Sequence, residues 1–372
     1  MAPTAQQPEG SARIVLFGAT GYTGALTAHA LVRRGATPVL AGRNRAALED
    51  LAGKIDGDVE IAVADATDPT AVRALLEPGD VLVSTVGPFI KFGEAAVAAA
   101  AEMGAHYLDS TGEGPFVRSV FERHGQVAER SGATLLSAFG FDFVPGNLAG
   151  AMALEQAGAG ADRVDVCYSV RNFGTSGGTR ASIAGVMLED GYAFSGGAMH
   201  NARPGREVRR FDLGERSLTG ISVSASEQYG LPASYDGLRD VGVYLAVPAL
   251  TARVMALSGL ALTPVRRVGA LRSLAGSLAE RLIPGSTGGP TEEQRSRTSM
   301  EVVAEARSGA QVTGRVRLTG GDPYDYTAEI LAWGAITAAS GGLLAKGACG
   351  PVEAFGLDAL TRGCAEAGLV PA

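Results

Sequence analysis

The sequence predicts an α/β protein in which a doubly wound parallel sheet is joined to a second α+β domain containing a mixed or antiparallel sheet. The first ~150 residues alternate short apolar runs with helical segments, which is the βαβ rhythm of a parallel sheet. A glycine-rich loop at 18–24 follows the first apolar run and precedes the first helical segment. After Pro145 the strands alternate apolar and polar residues, as half-buried antiparallel strands do.

The elements of the first domain follow in a regular order. We expect strands at Arg13–Phe17, Thr37–Ala41, Val59–Val63, Val81–Thr85, His106–Asp109 and Thr134–Ser137. We expect helices between them at Gly21–Arg34, Arg45–Lys54, Pro69–Leu76, Gly93–Met103 and Pro115–Ser131. Their lengths suit right-handed crossover helices, so this segment predicts a Rossmann domain.

The second half of the chain has the content of an α+β domain. Strands are expected at Arg163–Ser169, Glu207–Phe211, Gly220–Ser224, Thr298–Ala306 and Ala310–Thr319. Helices are expected at Asn147–Gln156, Ser182–Phe194 and Asp325–Ala339, with a terminal pair in Pro351–Leu369. With 372 residues, two domains are the default expectation. We therefore predict a disordered tail at 1–11, a nucleotide-binding domain at 12–148, a substrate domain at 149–345, and C-terminal helices at 346–372 that pack back on the first domain.

Composition excludes several classes of function. The net charge of -7 argues against a general nucleic-acid binder. The three cysteines form no CxxC pair and the four histidines are scattered, which predicts neither a disulfide framework nor a metal site. The start of the chain lacks a basic segment followed by an apolar one, so we expect no signal peptide and a cytoplasmic protein.

Two apolar stretches raise the question of membrane contact. Val241–Val265 contains Pro248 and Arg253, and Ile330–Leu344 is short for a span of ~20 residues. We interpret both as buried helices or as helices that flank an apolar substrate tunnel. An interfacial helix at 241–265 is the alternative.

The glycine loop is the clearest functional signal. Gly18 permits a tight turn, Gly21 lets a pyrophosphate approach the backbone, and Gly24 allows the helix to pack on the sheet. The helix N-terminus offers unpaired N–H groups and the positive end of its dipole to phosphates. We predict that Thr20, Tyr22 and Thr23 complete this dinucleotide site.

The end of the second strand selects the cofactor. An NAD site places a carboxylate there, ~20 residues after the fingerprint. This chain has Arg43-Asn44-Arg45 and no acid before Glu49. A guanidinium pairs bidentately with a 2′-phosphate, so Arg43, and after it Arg45, predict NADP(H). A surface arginine at a helix start is the alternative.

Further residues are expected around the same cofactor. Asp65-Ala66 follows the third strand, where Asp65 would face the adenine or cap the next helix. Val86-Gly87-Pro88 follows the fourth strand and would border the nicotinamide ribose, or form a simple turn.

Three ionisable residues lie near the carboxyl edge of the sheet, where ligands bind in open α/β folds. Glu113, Asp142 and Lys91 are the candidates for a proton or hydrogen-bond donor in a hydride transfer. Each has a structural alternative: Glu113 would cap the helix near Pro115, Asp142 would bond its own turn, and Lys91 would be solvated. Tyr324 and Tyr326 are weaker candidates.

The Tyr-x-x-x-Lys pair of short-chain dehydrogenases is absent. The residues four positions before the three lysines are Asp50, Gly87 and Gly342. That mechanism is therefore excluded.

Four further segments carry a family resemblance. They are Val86-Gly-Pro-Phe89 with Gly93, Tyr107-Leu-Asp-Ser-Thr-Gly-Glu113, Gly140-Phe-Asp-Phe-Val-Pro145 and Ser176-Gly-Gly-Thr179. Together with the glycine loop they resemble the saccharopine dehydrogenase-like oxidoreductases, and within these the trans-acting enoyl reductase branch. After Pro145 the chain has Gly146-Asn147 where the family often has Ser-Asp.

The resemblance implies an NADPH-dependent reductase that transfers hydride to an activated C=C bond of a hydrophobic acyl substrate, free or carrier-bound, in polyketide-type secondary metabolism. The alternatives are an imine reductase, with Arg171 or Arg180 holding a substrate carboxylate, and a non-catalytic NADP-binding scaffold. A sheet with an exposed edge or face often pairs with its copy, so we also expect a homodimer.

Overall fold

The first sheet has seven parallel strands. The computed structural model describes residues 12–177, 190–203, 205–252 and 288–372. The strands are β1 (Ile14–Phe17), β2 (Val39–Gly42), β3 (Ile61–Val63), β4 (Val81–Ser84), β5 (His106–Asp109), β6 (Thr134–Leu136) and β15 (Gly347–Ala348). Their order is β3-β2-β1-β4-β5-β6-β15, which contains the doubly wound order of a dinucleotide-binding fold. The predicted α/β class is confirmed.

Helices cover both faces of this sheet. They are α1 (Tyr22–Arg33), α2 (Arg45–Ala52), α3 (Pro69–Arg73), α4 (Phe89–Phe92), α5 (Glu94–Met103), α6 (Gly114–Ser119) and α7 (Gly125–Ser131). Strand β1 shows the two-sided burial directly: Ile14 and Leu16 join one hydrophobic cluster, whereas Val15 and Phe17 join the other. Burial on both faces explains why the strands are continuous apolar runs.

The chain returns to the first sheet near its end. Helix α11 (Pro323–Ala339) packs against α1, and Glu329 on α11 forms ion pairs with Arg33 and Arg34. Strand β15 then pairs in parallel with β6. The first layer is therefore completed by residues from both ends of the chain.

The second sheet has nine strands and is mixed, as predicted. Its strands are β7 (Arg163–Arg171), β8 (Gly191–Ser195), β9 (Ala198–Ala202), β10 (Val208–Asp212), β11 (Ser217–Ser222), β12 (Asp240–Ala246), β13 (Ser299–Ser308), β14 (Gln311–Gly320) and β16 (Val370–Pro371). The path β10-β11-β12-β7-β13-β14-β16 is antiparallel except for the pair β12–β7, and β8 and β9 extend from β12.

Helix α8 (Val144–Ala157) joins the two layers. It packs on β7, β13 and β14, and its residues are nearly all buried. The remaining helices are α9 (Glu227–Ser234), α10 (Glu292–Ser296), α12 (Pro351–Phe355) and α13 (Leu357–Glu366). Both α9 and α12 contact α8, so the N-terminal end of α8 is enclosed.

Three predicted helices differ from the structure. The stretch beginning at Val241 starts as strand β12, because periodicity alone does not separate an apolar buried strand from a buried helix. Residues 253–265 of that stretch lie outside the described residues. The helix predicted at 182–194 ends in strand β8, and its residues 182–189 also lie outside the described range. The helix predicted at 115–131 is interrupted by a π-helical turn at Val120–His124.

Helix α11 ends at Ala339, so the second apolar stretch is only partly helical. Among the described residues, no helix combines the length and apolar character needed to cross a membrane.

Candidate nucleotide-binding and catalytic site

The glycine loop forms a tight turn between β1 and α1. Gly18 has a φ of +88°, and a Cβ there would lie 2.8 Å from atoms of Thr85 and Val86. A Cβ on Gly24 would lie 2.2 Å from the Gly18 carbonyl oxygen. A side chain on Gly24 would push α1 away from the turn after β1, and one on Gly18 would collide with the loop after β4, so both positions require glycine.

The N-terminus of α1 suits an anion. The N-terminal cap residue is Gly21, no side chain caps the helix, and its first turn contains no acidic residue. The first backbone N–H groups of α1 and its dipole therefore remain directed at a ligand rather than at a capping side chain.

The segment after β2 carries exposed basic residues. Arg43 is exposed and lies near Asp65, whose pKa is lowered mainly by hydrogen bonds from Thr67 and further by the Arg43 charge. Arg45 lies 4.0 Å from Glu49, and Asn44 caps α2 by accepting a hydrogen bond from the Ala47 N–H. Arg45 thus lies near an acid of α2, whereas Arg43 lies near Asp65 after β3.

The other predicted cofactor residues border the same edge. Asp65 does not cap α3, because the cap is Asp68, whose carboxylate accepts from Thr70 and Ala71. The predicted residues divide by exposure: Thr20, Gly21, Arg43, Asn44, Arg45 and Asp65 are exposed; Gly18, Tyr22, Thr23, Ala66, Val86, Gly87 and Pro88 are half-buried; and Gly24 is buried.

Side chains hold the loops of the carboxyl edge to one another. The Thr85 hydroxyl donates to the Gly18 carbonyl oxygen at 3.1 Å, which ties the loop after β4 to the glycine loop. Glu113 is buried, and its two carboxylate oxygens accept from the backbone N–H groups of Phe89 and Ile90 at 2.9 and 2.8 Å. Glu113 therefore supports the N-terminus of α4 rather than that of α6, the helix that follows it.

Asp109 performs the same task one strand further on. Its carboxylate accepts from the N–H groups of Thr111 and Ala138 and from the Ser137 hydroxyl. Ala138 has a φ of +62°, so this hydrogen bond holds a left-handed residue in place. Burial raises the pKa of Asp109 to about 6, against these hydrogen bonds, which lower it.

Asp142 differs from both of these acids. It is half-buried, and the described residues supply no hydrogen bond to its carboxylate. The carboxylate points towards Gly112, where a Cβ would lie 3.0 Å from Asp142 Oδ2. Burial raises its pKa to about 6. Of the three predicted catalytic residues, Asp142 is the one whose environment suits a proton donor at neutral pH.

Lys91, the third candidate, lies on α4 beside the same edge. It is exposed, and its Nζ lies 5.3 Å from the centre of the Phe92 ring. Tyr326 is buried, with its hydroxyl 3.3 Å from Cys364 Sγ, and is therefore a packed aromatic residue.

Sequence reasoning missed two residues next to Asp142. Tyr168 on β7 and Glu227 at the start of α9 are both buried, and their oxygens lie 2.6 Å apart. The rings of Phe141 and Phe143 pack edge-on against Tyr168. No motif marks this pair, because the two residues are 59 positions apart and meet only when α9 closes over α8.

The second half of the chain also reaches the glycine loop. The Tyr22 hydroxyl donates to the Pro290 carbonyl oxygen at 2.6 Å and accepts from Arg295 Nη1 at 3.0 Å. The ring of Tyr22 packs edge-on against Tyr324, whose hydroxyl accepts from the Ser176 N–H at 2.7 Å. The start of the predicted Ser176–Thr179 segment therefore lies beside the dinucleotide loop, while residues 178 and 179 lie outside the described range.

The residues at this edge fit NADP(H). The space between Gly18 and Gly24 is one that a Cβ would fill, and the first turn of α1 contains no acid. Arg43, directly after β2, is the cation predicted to pair with a 2′-phosphate. The fold and this loop define a dinucleotide-binding domain of the Rossmann class.

Comparison with known proteins gives the family. Residues 14–136 match the family described as the saccharopine dehydrogenase NADP binding domain. The match spans most of the nucleotide-binding domain and none of the second domain. The match confirms the predicted family and NADP(H) as the cofactor of the domain.

Two relatives and one solved structure extend the comparison. A trans-acting enoyl reductase of Mycobacterium leprae (strain TN) is 41% identical over 140 residues, which cover 36% of this chain and 34% of that protein. A relative from Mycobacterium tuberculosis (strain ATCC 25618 / H37Rv) is 40% identical over 184 residues, 47% of this chain and 44% of that protein. The chain therefore matches less than half the length of these relatives.

The solved structure is that of apo histidine-tagged saccharopine dehydrogenase (L-Glu forming) from Saccharomyces cerevisiae. It covers 97% of this chain and 99% of its own, with a TM-score of 0.58 and 12% sequence identity. This likeness shows the fold, and it extends through the second domain.

Proposed function

We propose that the protein is an NADPH-dependent reductase that adds hydride and a proton across an activated C=C bond of a hydrophobic acyl substrate. The observation that carries the proposal is Asp142, a half-buried carboxyl without a hydrogen-bond partner among the described residues, at the carboxyl edge of an NADP-binding sheet. NADPH, when bound, supplies the hydride.

The residues of the chain supply the rest of the chemistry. The N–H groups of α1 and the Arg43 guanidinium would hold the phosphates, and Glu113 and Asp109 keep the loops around the reacting centre in place. The neutral form of Asp142 would donate the proton, and its raised pKa keeps a fraction of this form available near neutral pH.

Two observations favour an acyl substrate over an amino acid. The relatives described above carry the name of trans-acting enoyl reductases. Arg171, one of two arginines predicted to hold a substrate carboxylate, lies three residues beyond Tyr168 on β7 and so faces the opposite side of the sheet. Arg180, the other, lies outside the described residues.

An imine reductase is the second candidate, and Asp142 again favours it. In its ionised form, a half-buried carboxylate without hydrogen-bond donors would attract the positive charge of an iminium group. The two candidates therefore differ in which protonation state of Asp142 is productive.

The test uses the purified chain with NADPH and two probes, a crotonyl thioester and a cyclic imine, followed by the loss of nicotinamide absorbance. We expect turnover of the thioester and none of the imine. Turnover of the imine alone would replace the first function with the second. NADPH binding without turnover of either probe would support a scaffold role.

Asp142→Asn tests the proton donor. We expect kcat on the thioester to fall about 100- to 10,000-fold, the range for loss of a general acid, while the Kd for NADPH stays unchanged. Because the neutral carboxyl is the active form, the wild-type rate should be highest below a pH of about 6 and decline above it. Asp68→Asn, which changes the cap of α3, is the matched control and should keep the wild-type rate. A wild-type pH profile in Asp142→Asn would remove this residue from the mechanism.

The setting of the reaction belongs to the same proposal. We propose a carrier-bound acyl chain of polyketide type as the substrate, a cytoplasmic location and a homodimeric assembly. The comparison of a free thioester with the same acyl group on a carrier protein tests the first of these through their kcat/KM values.

A further inference from the structure

Glu227 and Tyr168 form a buried polar pair beside the Asp142 loop. Neither side chain is exposed beyond 2%, and the Tyr168 hydroxyl lies 2.6 Å from Glu227 Oε1. The same hydroxyl lies 3.2 Å from the Phe143 carbonyl oxygen and 2.8 Å from the Gly146 nitrogen. The Tyr168 hydroxyl therefore contacts the carbonyl group of the residue that directly follows Asp142.

The number of hydrogens available fixes the charge of Glu227. Gly146 N–H donates to the Tyr168 hydroxyl, which has one hydrogen of its own to give. If Glu227 were a carboxylate, two acceptors, Glu227 Oε1 and the Phe143 carbonyl, would compete for that hydrogen. If Glu227 is a neutral acid, it donates to Tyr168, Tyr168 donates to Phe143, and each of the three contacts contains one hydrogen.

The surroundings of Glu227 agree with the neutral form. Glu227 Oε2 is buried and has no hydrogen-bond partner among the described residues, which costs far less for a neutral carboxyl than for a carboxylate. Within the described ranges no arginine, lysine or histidine forms an ion pair with Glu227. The titratable groups that face it are Tyr168 on β7, Tyr192 on β8 and Asp142 in the loop before α8. Burial, with a smaller contribution from the Asp142 charge, raises the pKa of Glu227 to about 8.

Gly146 makes room for the pair. A Cβ at this position would lie 2.1 Å from Glu227 Oε1 and 2.2 Å from the Tyr168 hydroxyl. The first turn of α8 can therefore approach both side chains only with glycine at 146.

We propose that Tyr168 and Glu227 are positioning residues for the proton donor: Tyr168 fixes the Phe143 peptide next to Asp142, and Glu227, uncharged at neutral pH, supplies the hydrogen that completes this contact. The inference rests on the proposed function of Asp142. In the reduction, one carbon of the substrate double bond accepts hydride. The O–H bond of Asp142 breaks as its proton bonds to the other carbon of that double bond. Asp142 is left as a carboxylate and regains a proton from water. Glu227 keeps its proton throughout, so it limits the negative charge in this pocket to one.

A titration of the protein without cofactor tests the pair independently of activity. The carbonyl stretch of protonated carboxyl groups is followed by infrared spectroscopy across the pH range. We expect a buried carboxyl that titrates near pH 8 in the wild type and is missing in Glu227→Gln. Asp142→Asn should lower the pKa of this group because it removes a neighbouring negative charge. A Glu227 that is ionised below pH 6 would overturn the inference.

Measurement of kcat is the second test, in which the conservative variant Glu227→Gln is compared with more disruptive ones. Glu227→Gln should keep a kcat close to the wild-type value, because the amide N–H donates to Tyr168 as the neutral acid does. Glu227→Ala and Tyr168→Phe should lower kcat by up to about 100-fold, the cost of a small displacement of a reacting group, without changing the Kd for NADPH. Tyr326→Phe, which removes an equally buried hydroxyl that contacts Cys364 rather than Tyr168 or Phe143, is the control.

The two arms separate the possible failures. If no substrate is reduced, the proposed function fails while the titration still decides the charge of Glu227. If reduction occurs but Glu227→Gln is as slow as Glu227→Ala, the residue acts as a carboxylate, and the inference fails while the proposed function stands.

Discussion

The cofactor side and the proton-donor side of this carboxyl edge are built in different ways. On the cofactor side, the expected contacts come mainly from the backbone, and the predicted residues centre on one short loop and the turn after β2. On the proposed proton-donor side, side chains from distant elements contact the residues next to Asp142. Tyr168 from β7, which contacts Glu227 from α9, reaches the Phe143 carbonyl, and the Thr327 hydroxyl from α11 accepts from the Phe141 N–H.

The two sides have different chemical tasks, which are binding a pyrophosphate and setting the pKa of an acid. A pyrophosphate is the same in every NADP-binding protein, so glycines and a helix N-terminus suffice to bind it. A proton donor needs a particular pKa, which depends on every neighbour that removes water or adds charge. The first side is therefore local in sequence, whereas the second depends on how both domains close around it.

The largest change in cofactor affinity should come from Gly24→Val on the cofactor side. The added side chain would collide with the Gly18 carbonyl oxygen, since even a Cβ would approach it to 2.2 Å. We expect the Kd for NADPH to rise about 100-fold, which corresponds to about 2.7 kcal/mol. Titration calorimetry measures the change.

Gly53→Ala is the matched control for that variant. Gly53 ends α2 with an ordinary φ of -67°, and a Cβ there meets no atom closer than 3.5 Å. It should bind NADPH as the wild type does. Normal binding by Gly24→Val would show that the cofactor side does not depend on the close approach of backbone segments.

A smaller effect is expected from Arg43→Ala. Loss of one charge-assisted contact of about 1.5 kcal/mol should weaken NADPH about tenfold and leave NADH unchanged. Arg45→Ala, in which the Glu49 ion pair rather than a phosphate contact is lost, is the comparison variant. Equal losses for NADPH and NADH would remove Arg43 from the 2′-phosphate site.

The smallest effect is a pH-dependent change in stability on the proton-donor side. The pKa of Glu227 is about 8 in the folded protein and 4.5 in its ordinary environment. Between these values the folded chain holds a proton that the unfolded chain releases, so stability falls as pH rises. The glutamine in Glu227→Gln does not titrate. The Tm of this variant minus the wild-type Tm should therefore increase from pH 5 to pH 8.

We expect the free energy of unfolding of Glu227→Gln, relative to the wild type, to increase by at least about 1 kcal/mol over this range. Each 1 kcal/mol corresponds to a Tm change of roughly 2–4 °C, which thermal scans at the two pH values measure. Tyr326→Phe should show no pH-dependent difference. A constant offset for Glu227→Gln would mean that Glu227 is ionised in the folded state.

Most of the first sheet and its loop could be predicted from the sequence. Strand β5 occupies the predicted residues His106–Asp109, and strands β1 to β4 and β6 lie within two residues of the predicted ones at each end, whereas β15 was not predicted. These elements are determined by short-range patterns of apolar residues, glycines and turn residues, which a single sequence displays.

The wrong or missing predictions concern residues whose structure or partners depend on tertiary contacts. Strand β12 was expected as part of a helix, because the stretch from Val241 to Val265 is long and apolar, whereas its start pairs with β7 and β11 in the folded sheet. Glu113 was predicted as a catalytic candidate, with a cap of the following helix as the alternative. Its carboxylate instead accepts from the helix after β4, which lies beside it only in the folded sheet. Tyr168 and Glu227 carried no signal, because their partners are contributed by different elements.

The return of the chain to the first sheet has a consequence for synthesis on the ribosome. The β6 edge of that sheet stays uncovered until Gly347–Ala348 is made, about 211 residues after Leu136. At roughly 5–20 residues per second, this leaves the edge open for about 10–40 s. An open strand edge attracts other chains, so nascent copies on neighbouring ribosomes are exposed to mispairing during this interval. A chaperone that binds extended segments would be most useful to this protein between the completion of β6 and the arrival of β15.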